Sequence, residues 1–169
     1  MDFFRAILLA IILVHPADAA LEVSSLRCEY LTNPTGIDET QPRLSWVVGS
    51  LDRGEKQSAW QVLVASTLEN LTANQGNLWN SGKTVSNATN QIAYAGTPLT
   101  SRSACFWKIR AWNKDDQASP WSAPASWTLG LLASSDWSAK WIDGMTFGPL
   151  ANDPPVILAA FYEALTGAG

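Results

Sequence analysis

The stretch Phe106–Asn113, FWKIRAWN, followed by Ser119–Pro124, SPWSAP, decides the fold. Aromatic and β-branched side chains alternate with charged ones at period two through the first segment, the pattern of a strand with one face turned inward. The run Lys114-Asp115-Asp116-Gln117 then supplies turn residues, and Pro120-Trp121-Ser122 leads into another strand. The pair reads as the last hairpin of an antiparallel β-sandwich. A module of that kind is more often a scaffold or a binding surface than a catalyst, so the question becomes whether the chain carries catalytic chemistry at all.

Working outward, period-two segments recur at short intervals with turn residues between them. Strands are predicted over Leu21–Tyr30, Arg43–Val48, Ala59–Ser66, Leu78–Gly82, Gln91–Tyr94, Ala104–Asn113 and Ser126–Leu129. Leu44, Trp46 and Val48 share one face, as do Trp60, Val62 and Val64, with Gln61 on the other side. Thr32–Pro42 is a turn rich in Asn, Pro, Gly and Asp, and the polar segment Thr67–Asn77 has room for a short helical turn. About seven strands without a long helix argue against βαβ topology. The class is all-β, a fibronectin type III/immunoglobulin-like antiparallel β-sandwich.

The ends of the chain read differently. Arg5, the apolar run Ala6–Val14 and the small-x-small triplet Ala17-Asp18-Ala19 form an export leader over residues 1–19. Its nine apolar residues are too few to cross a bilayer, which takes ~20, so no stable membrane insertion is expected and the mature chain is secreted or periplasmic. The sandwich then occupies residues 20–132, and residues 133–169 read as a linker and the truncated start of a following domain.

The net charge of −4 and the lack of a basic block exclude nucleic acid as an expected partner. His15 is the sole histidine and lies in the leader. The mature chain therefore lacks the residue on which Ser-His-Asp, Cys-His and histidine-metal chemistry depend. No cofactor or metal is implied.

The motifs, taken together, have a recognisable order. Arg27–Asp38 (RCEYLTNPTGID), Pro42–Trp46 (PRLSW), Gln57–Ser66 (QSAWQVLVAS), Leu78–Lys83 (LWNSGK), Ile92–Ser101 (IAYAGTPLTS), Phe106–Asn113, Ser119–Leu132 and Asp136–Ile142 (DWSAKWI) follow one another at sensible spacings. Over roughly Leu21 to Ile142 the chain resembles the N-terminal fibronectin type III-like domain of bacterial-type α-L-rhamnosidases. The resemblance departs at Cys105, where the family more often carries an aromatic residue. It implies that further sandwich domains and an (α/α)6 barrel follow in the complete enzyme. The barrel would carry the acids that remove terminal rhamnose with inversion. The partners so implied are the downstream domains of the same enzyme, with rhamnosylated glycan met only through the full-length protein.

Candidate chemistry within the chain is weighed residue by residue. Inverting glycoside hydrolysis needs two carboxyl groups ~6.5–9.5 Å apart across a sugar site. The carboxylates here sit mostly in turns, and the densest pair, Asp115-Asp116, consists of neighbours that cannot face each other across a substrate. No catalytic residue is assigned.

Of the nine tryptophans, Trp46, Trp60 and Trp107 share phase with aliphatic neighbours and are predicted core. Trp112 falls on the outer face with Lys108 and Arg110, and Trp121 is placed to lie back over those cations as a cation–π ladder or as surface aromatics. Trp79 reads as the least constrained of the nine.

Cys28 and Cys105 fall at one pole on opposing sheets. In an oxidising compartment they are the candidates for a disulfide closing a loop of about 77 residues, worth ~4 kcal/mol. The alternative is two buried free thiols.

The leading reading is a non-catalytic domain at the start of a secreted α-L-rhamnosidase. The alternative is a free-standing secreted carbohydrate-binding or interaction module acting through outer-face aromatics.

Overall fold

The computed structural model describes residues 21–139. The predicted leader and the tail from residue 140 onward lie outside the described residues. Backbone contacts divide the chain into units Met1–Asp136 and Trp137–Gly169, and the sandwich belongs to the first.

The described elements are β1 (Glu22–Cys28), β2 (Arg43–Gly49), β3 (Ala59–Ala65), α1 (Leu68–Thr72), β4 (Trp79–Asn80), β5 (Thr84–Val85), β6 (Ile92–Ala93), β7 (Ala104–Trp112) and β8 (Ala125–Thr128). A short 3-10 turn follows at Ser134–Asp136. One sheet has the order β1-β2-β6 and the other β4-β3-β7-β8, with β5 also on β3. All these pairings are antiparallel, as the hairpin reading of Phe106–Pro124 requires. The strand not foreseen is β5. It is two residues long and follows Gly82 at φ +61°, and its Val85 is exposed, so no alternation marks it.

The core lies between the two sheets. Trp46, Trp60, Trp107 and Ile109 are buried in it, so the predicted strand phases hold. The spine of the five-stranded sheet is the β3–β7 ladder, which runs unbroken from Ala59 opposite Trp112 to Ala65 opposite Phe106.

In β1, Val23 and Cys28 are both buried although five positions apart, which strict alternation forbids. A bulge between Ser24 and Arg27, with Ser25 at φ +52°, inserts the residue that restores the phase.

Trp127 is the large core residue that periodicity did not single out. It pairs with inward-facing Cys105 and is fully buried. Edge-to-face contacts link Trp79 to Tyr94, Tyr94 to Trp127 and Trp127 to Trp107 at centroid separations of 5.6, 5.9 and 6.5 Å. Trp79 is therefore not loosely held: it packs against the core as the first ring of this chain.

The outer face of the five-stranded sheet is covered as well, which the sequence reading did not anticipate. Helix α1 begins at Thr67, whose hydroxyl accepts the Asn70 N–H at 3.2 Å, and it buries Leu71. Leu71 packs with Leu63 and Ala65 of β3, and Phe106 and Trp121 flank them. That second cluster explains why β3 is buried on both faces.

Candidate functional site

On β7 the side chains of Lys108, Arg110 and Trp112 point away from the core, and the segment Ser119–Ser122 crosses back over them. The crossing is built by two serines. Ser119 and Ser122 accept the N–H groups of Ala111 and Ile109 on their hydroxyls, at 3.0 and 3.2 Å, and donate in turn to the carbonyls of Pro120 and Ala123. Their own N–H groups donate to the carbonyls of Ala111 and Ile109. Serine hydroxyls thus replace the carbonyls that a regular strand would offer, and this irregular join sets Trp121 over the cations.

The result is an alternating stack. Lys83 lies 5.0 Å from the centroid of the Trp112 ring and Arg110 4.9 Å from it. Arg110 also lies 4.7 Å from the Trp121 ring, with Lys108 at 5.1 Å. Arg110 is the shared rung, and its Nε donates to Gln61 Oε1 at 3.0 Å, which fixes the guanidinium plane. Lys83, not singled out from the sequence, extends the stack and pairs with Asp116. Only its place after Gly82 on the turn between β4 and β5 brings it there.

Two outward residues are not exposed as the phase alone suggested. Lys108 is 8 % exposed, because Trp121 covers it and its ammonium donates to Asn74 Oδ1 at 2.7 Å. Burial lowers its pKa. Removing it is therefore not the silent change that an outward lysine implies. Trp112 is 9 % exposed, so its ring faces are taken up by the two cations. A sugar-stacking platform needs a free aromatic face, and Trp112 has none to offer.

Several carboxylates are engaged in local structure. Glu29 forms a fork with Arg43, Glu55 pairs with Lys114 at 3.1 Å, Asp115 also meets Lys114, and Asp136 accepts from Ser101. A recess of about 740 Å³ between β1 and Pro120–Ala125 holds one carboxylate, Glu22. A second of about 280 Å³ also holds one, Glu55. Neither offers the two facing acids that glycoside hydrolysis requires. Among the described residues there is no cluster of three metal-ligating side chains, and no helix is long and apolar enough to cross a membrane.

Arg43 draws the Glu29 pKa below its ordinary 4.5 through the hydrogen bonds of the fork. A depressed carboxylate stabilises the fold at pH values above the unfolded pKa and ceases to do so as pH falls through the folded one. Thermal denaturation followed below pH 4.5 should thus show a falling midpoint. Glu29→Gln should flatten that dependence, and an unchanged slope would contradict the assignment.

Cys28 and Cys105 are free thiols, both buried. The expected bridge is not formed in this structure. Face-to-face sheets stand ~10 Å apart, whereas a disulfide wants Cα atoms within ~7 Å, so inward phase on opposing strands does not by itself bring two sulfurs together. Burial raises each thiol to about 12, with Glu29 and Cys105 adding to the effect on Cys28. A thiol-alkylating reagent is therefore expected to leave the native chain unlabelled and to add two labels once it is unfolded without reductant. Labelling of the native chain would contradict the burial, and no labelling after unfolding would contradict the free thiols.

Comparison with known proteins fits this geometry. The sequence model of the family described as "Rha78A-like, N-terminal immunoglobulin domain" matches residues 23–133. The chain belongs to this family. An α-L-rhamnosidase of Streptomyces avermitilis is 45% identical over 136 residues, 80% of this chain and 13% of its own length. One from Formosa agariphila is 43% identical over 114 residues, covering 68% of this chain and 12% of its own.

Among solved structures, the S. avermitilis α-L-rhamnosidase complexed with L-rhamnose superposes with a TM-score of 0.69 at 47% identity, over 73% of this chain and 12% of that one. The α-L-rhamnosidase from Dictyoglumus thermophilum gives 0.69 at 40% identity, over 72% and 14%. The chain thus spans about an eighth of the length of these relatives.

Proposed function

We propose that this sandwich is the non-catalytic N-terminal domain of a secreted α-L-rhamnosidase, an enzyme removing terminal α-L-rhamnose from glycosides with residues outside this chain. The observation that carries the reading is the match of residues 23–133 to the N-terminal immunoglobulin domain of Rha78A-like proteins. It is joined to relatives named α-L-rhamnosidase of which only 12–13% is covered. The closed geometry of the site supports the same role: the outer-face aromatics are stacked on cations of the same chain, and each recess holds a single acid. Export rests on the apolar run Ala6–Val14 and the Ala17-Asp18-Ala19 triplet.

The partners are the other domains of the same enzyme, and rhamnosylated glycan is met through them. The test is the size and activity of the exported product. An antibody against the sandwich should detect a polypeptide several times longer than 169 residues that hydrolyses an aryl α-L-rhamnoside. Detection of a short product alone would favour a free-standing module.

A further inference from the structure

The pole at which the chain leaves the sandwich carries a tight hairpin that is held to β2 by the Glu29–Arg43 fork. Cys28 and Leu31 exchange two backbone hydrogen bonds, at 3.0 and 2.9 Å, around a two-residue turn formed by Glu29 and Tyr30. Both turn residues lie in the left-handed region, at φ +48° and +65°. Such turns favour Asn-Gly, since a side chain there costs energy.

The strained residue is nevertheless held from several directions. Arg43 lies 5.5 Å from the Tyr30 ring centroid, Gln91 donates to its hydroxyl, and Arg27 Nη1 donates to its carbonyl at 3.0 Å. Glu29 anchors Arg43 in turn through the fork. For all that bracing, Tyr30 is 54% exposed and Leu31 beside it 55%. Backbone strain that the surroundings hold in place gathers at clamps and contact sites, and here it presents two adjacent apolar side chains to solvent.

We propose that the Cys28–Leu31 hairpin is the surface through which this sandwich docks on a following domain of the same polypeptide, Tyr30 and Leu31 being its anchors. The occupant is indicated by where the chain goes. Past β8 the chain leaves beside the loop that follows the hairpin, with Gly130 hydrogen-bonded to Ile37 and Arg102, and about seven-eighths of each relative lies outside the matched part. Tyrosine suits such a contact, offering a large rigid area at little entropic cost. The inference rests on the enzyme reading given above.

The experiment compares Leu31→Ser and Tyr30→Asn in the 169-residue chain and in the longer enzyme. Asparagine tolerates the left-handed backbone, and Leu31 is more than half exposed. Both variants should leave the melting temperature of the short chain within a few degrees of its original value. In the enzyme they should split a shared unfolding transition into two and let protease release the sandwich. A single undivided transition in both variant enzymes would overturn the proposal. So would an equal loss of stability in short chain and enzyme, which would make the hairpin merely structural. Failure of the enzyme reading would appear separately, as the lack of any longer product.

Discussion

Trp107→Ala is expected to lower stability by about 3–5 kcal/mol, the usual range for emptying a buried aromatic site. Trp107 is fully buried, sits on the central strand opposite Val64, and meets Trp127 edge to face. Its removal opens a void where β3, β7 and β8 contribute side chains, and the rigid rings around it cannot collapse to fill the space. Domains of this size have only ~5–15 kcal/mol of net stability, so most of the folded population is at stake. Chemical denaturation should show the midpoint collapse without a comparable change in slope. A loss below about 1 kcal/mol, the level of an ordinary surface change, would place Trp107 outside the core and shift the register by one residue.

The second large effect is expected at Arg110. Arg110→Ala removes the rung shared by Trp112 and Trp121 and takes the Arg110 donor from Gln61 Oε1, while Gln61 Nε2 still donates to Asn80. Two cation–π contacts at ~0.5–1 kcal/mol each and one hydrogen bond of ~1 kcal/mol suggest a loss of about 2–3 kcal/mol. Arg110→Lys should recover little of it, since an ammonium is not a plane that stacks between two rings. The measurement is the urea midpoint of the two variants. Full rescue by lysine would show that charge alone, rather than stacking, holds the ladder.

The layout of the fold was legible because it rests on period two. Leu44, Trp46, Trp60, Val62, Val64, Trp107 and Ile109 all lie inward, as their alternation requires. What stayed hidden was carried by contacts between distant segments. The burial of Lys108 depends on Asn74 and Trp121, which lie 34 residues before it and on the far side of a turn. Lys83 joins the ladder only because β5 brings the turn beside β7's partner strand. The bulge in β1 erased the alternation that would have marked its phase.

The hairpin at Glu29–Tyr30 gave no signal either. Its sequence lacks the glycine or asparagine that announces such a turn, and its conformation is imposed by the Arg43 fork. The candidate disulfide between Cys28 and Cys105, weighed against two buried thiols, rests on compartment and phase, neither of which fixes the distance between two sulfurs.

The central claim is that this chain is a supporting domain without its own hydrolytic centre, and one assay bears on it most directly. The 169-residue chain, purified and repurified, is to be incubated with an aryl α-L-rhamnoside and release of the aryl alcohol followed against a buffer blank. The account predicts release no faster than the blank. Turnover that persists through repurification and disappears on replacing Asp115 or Asp116 would contradict it.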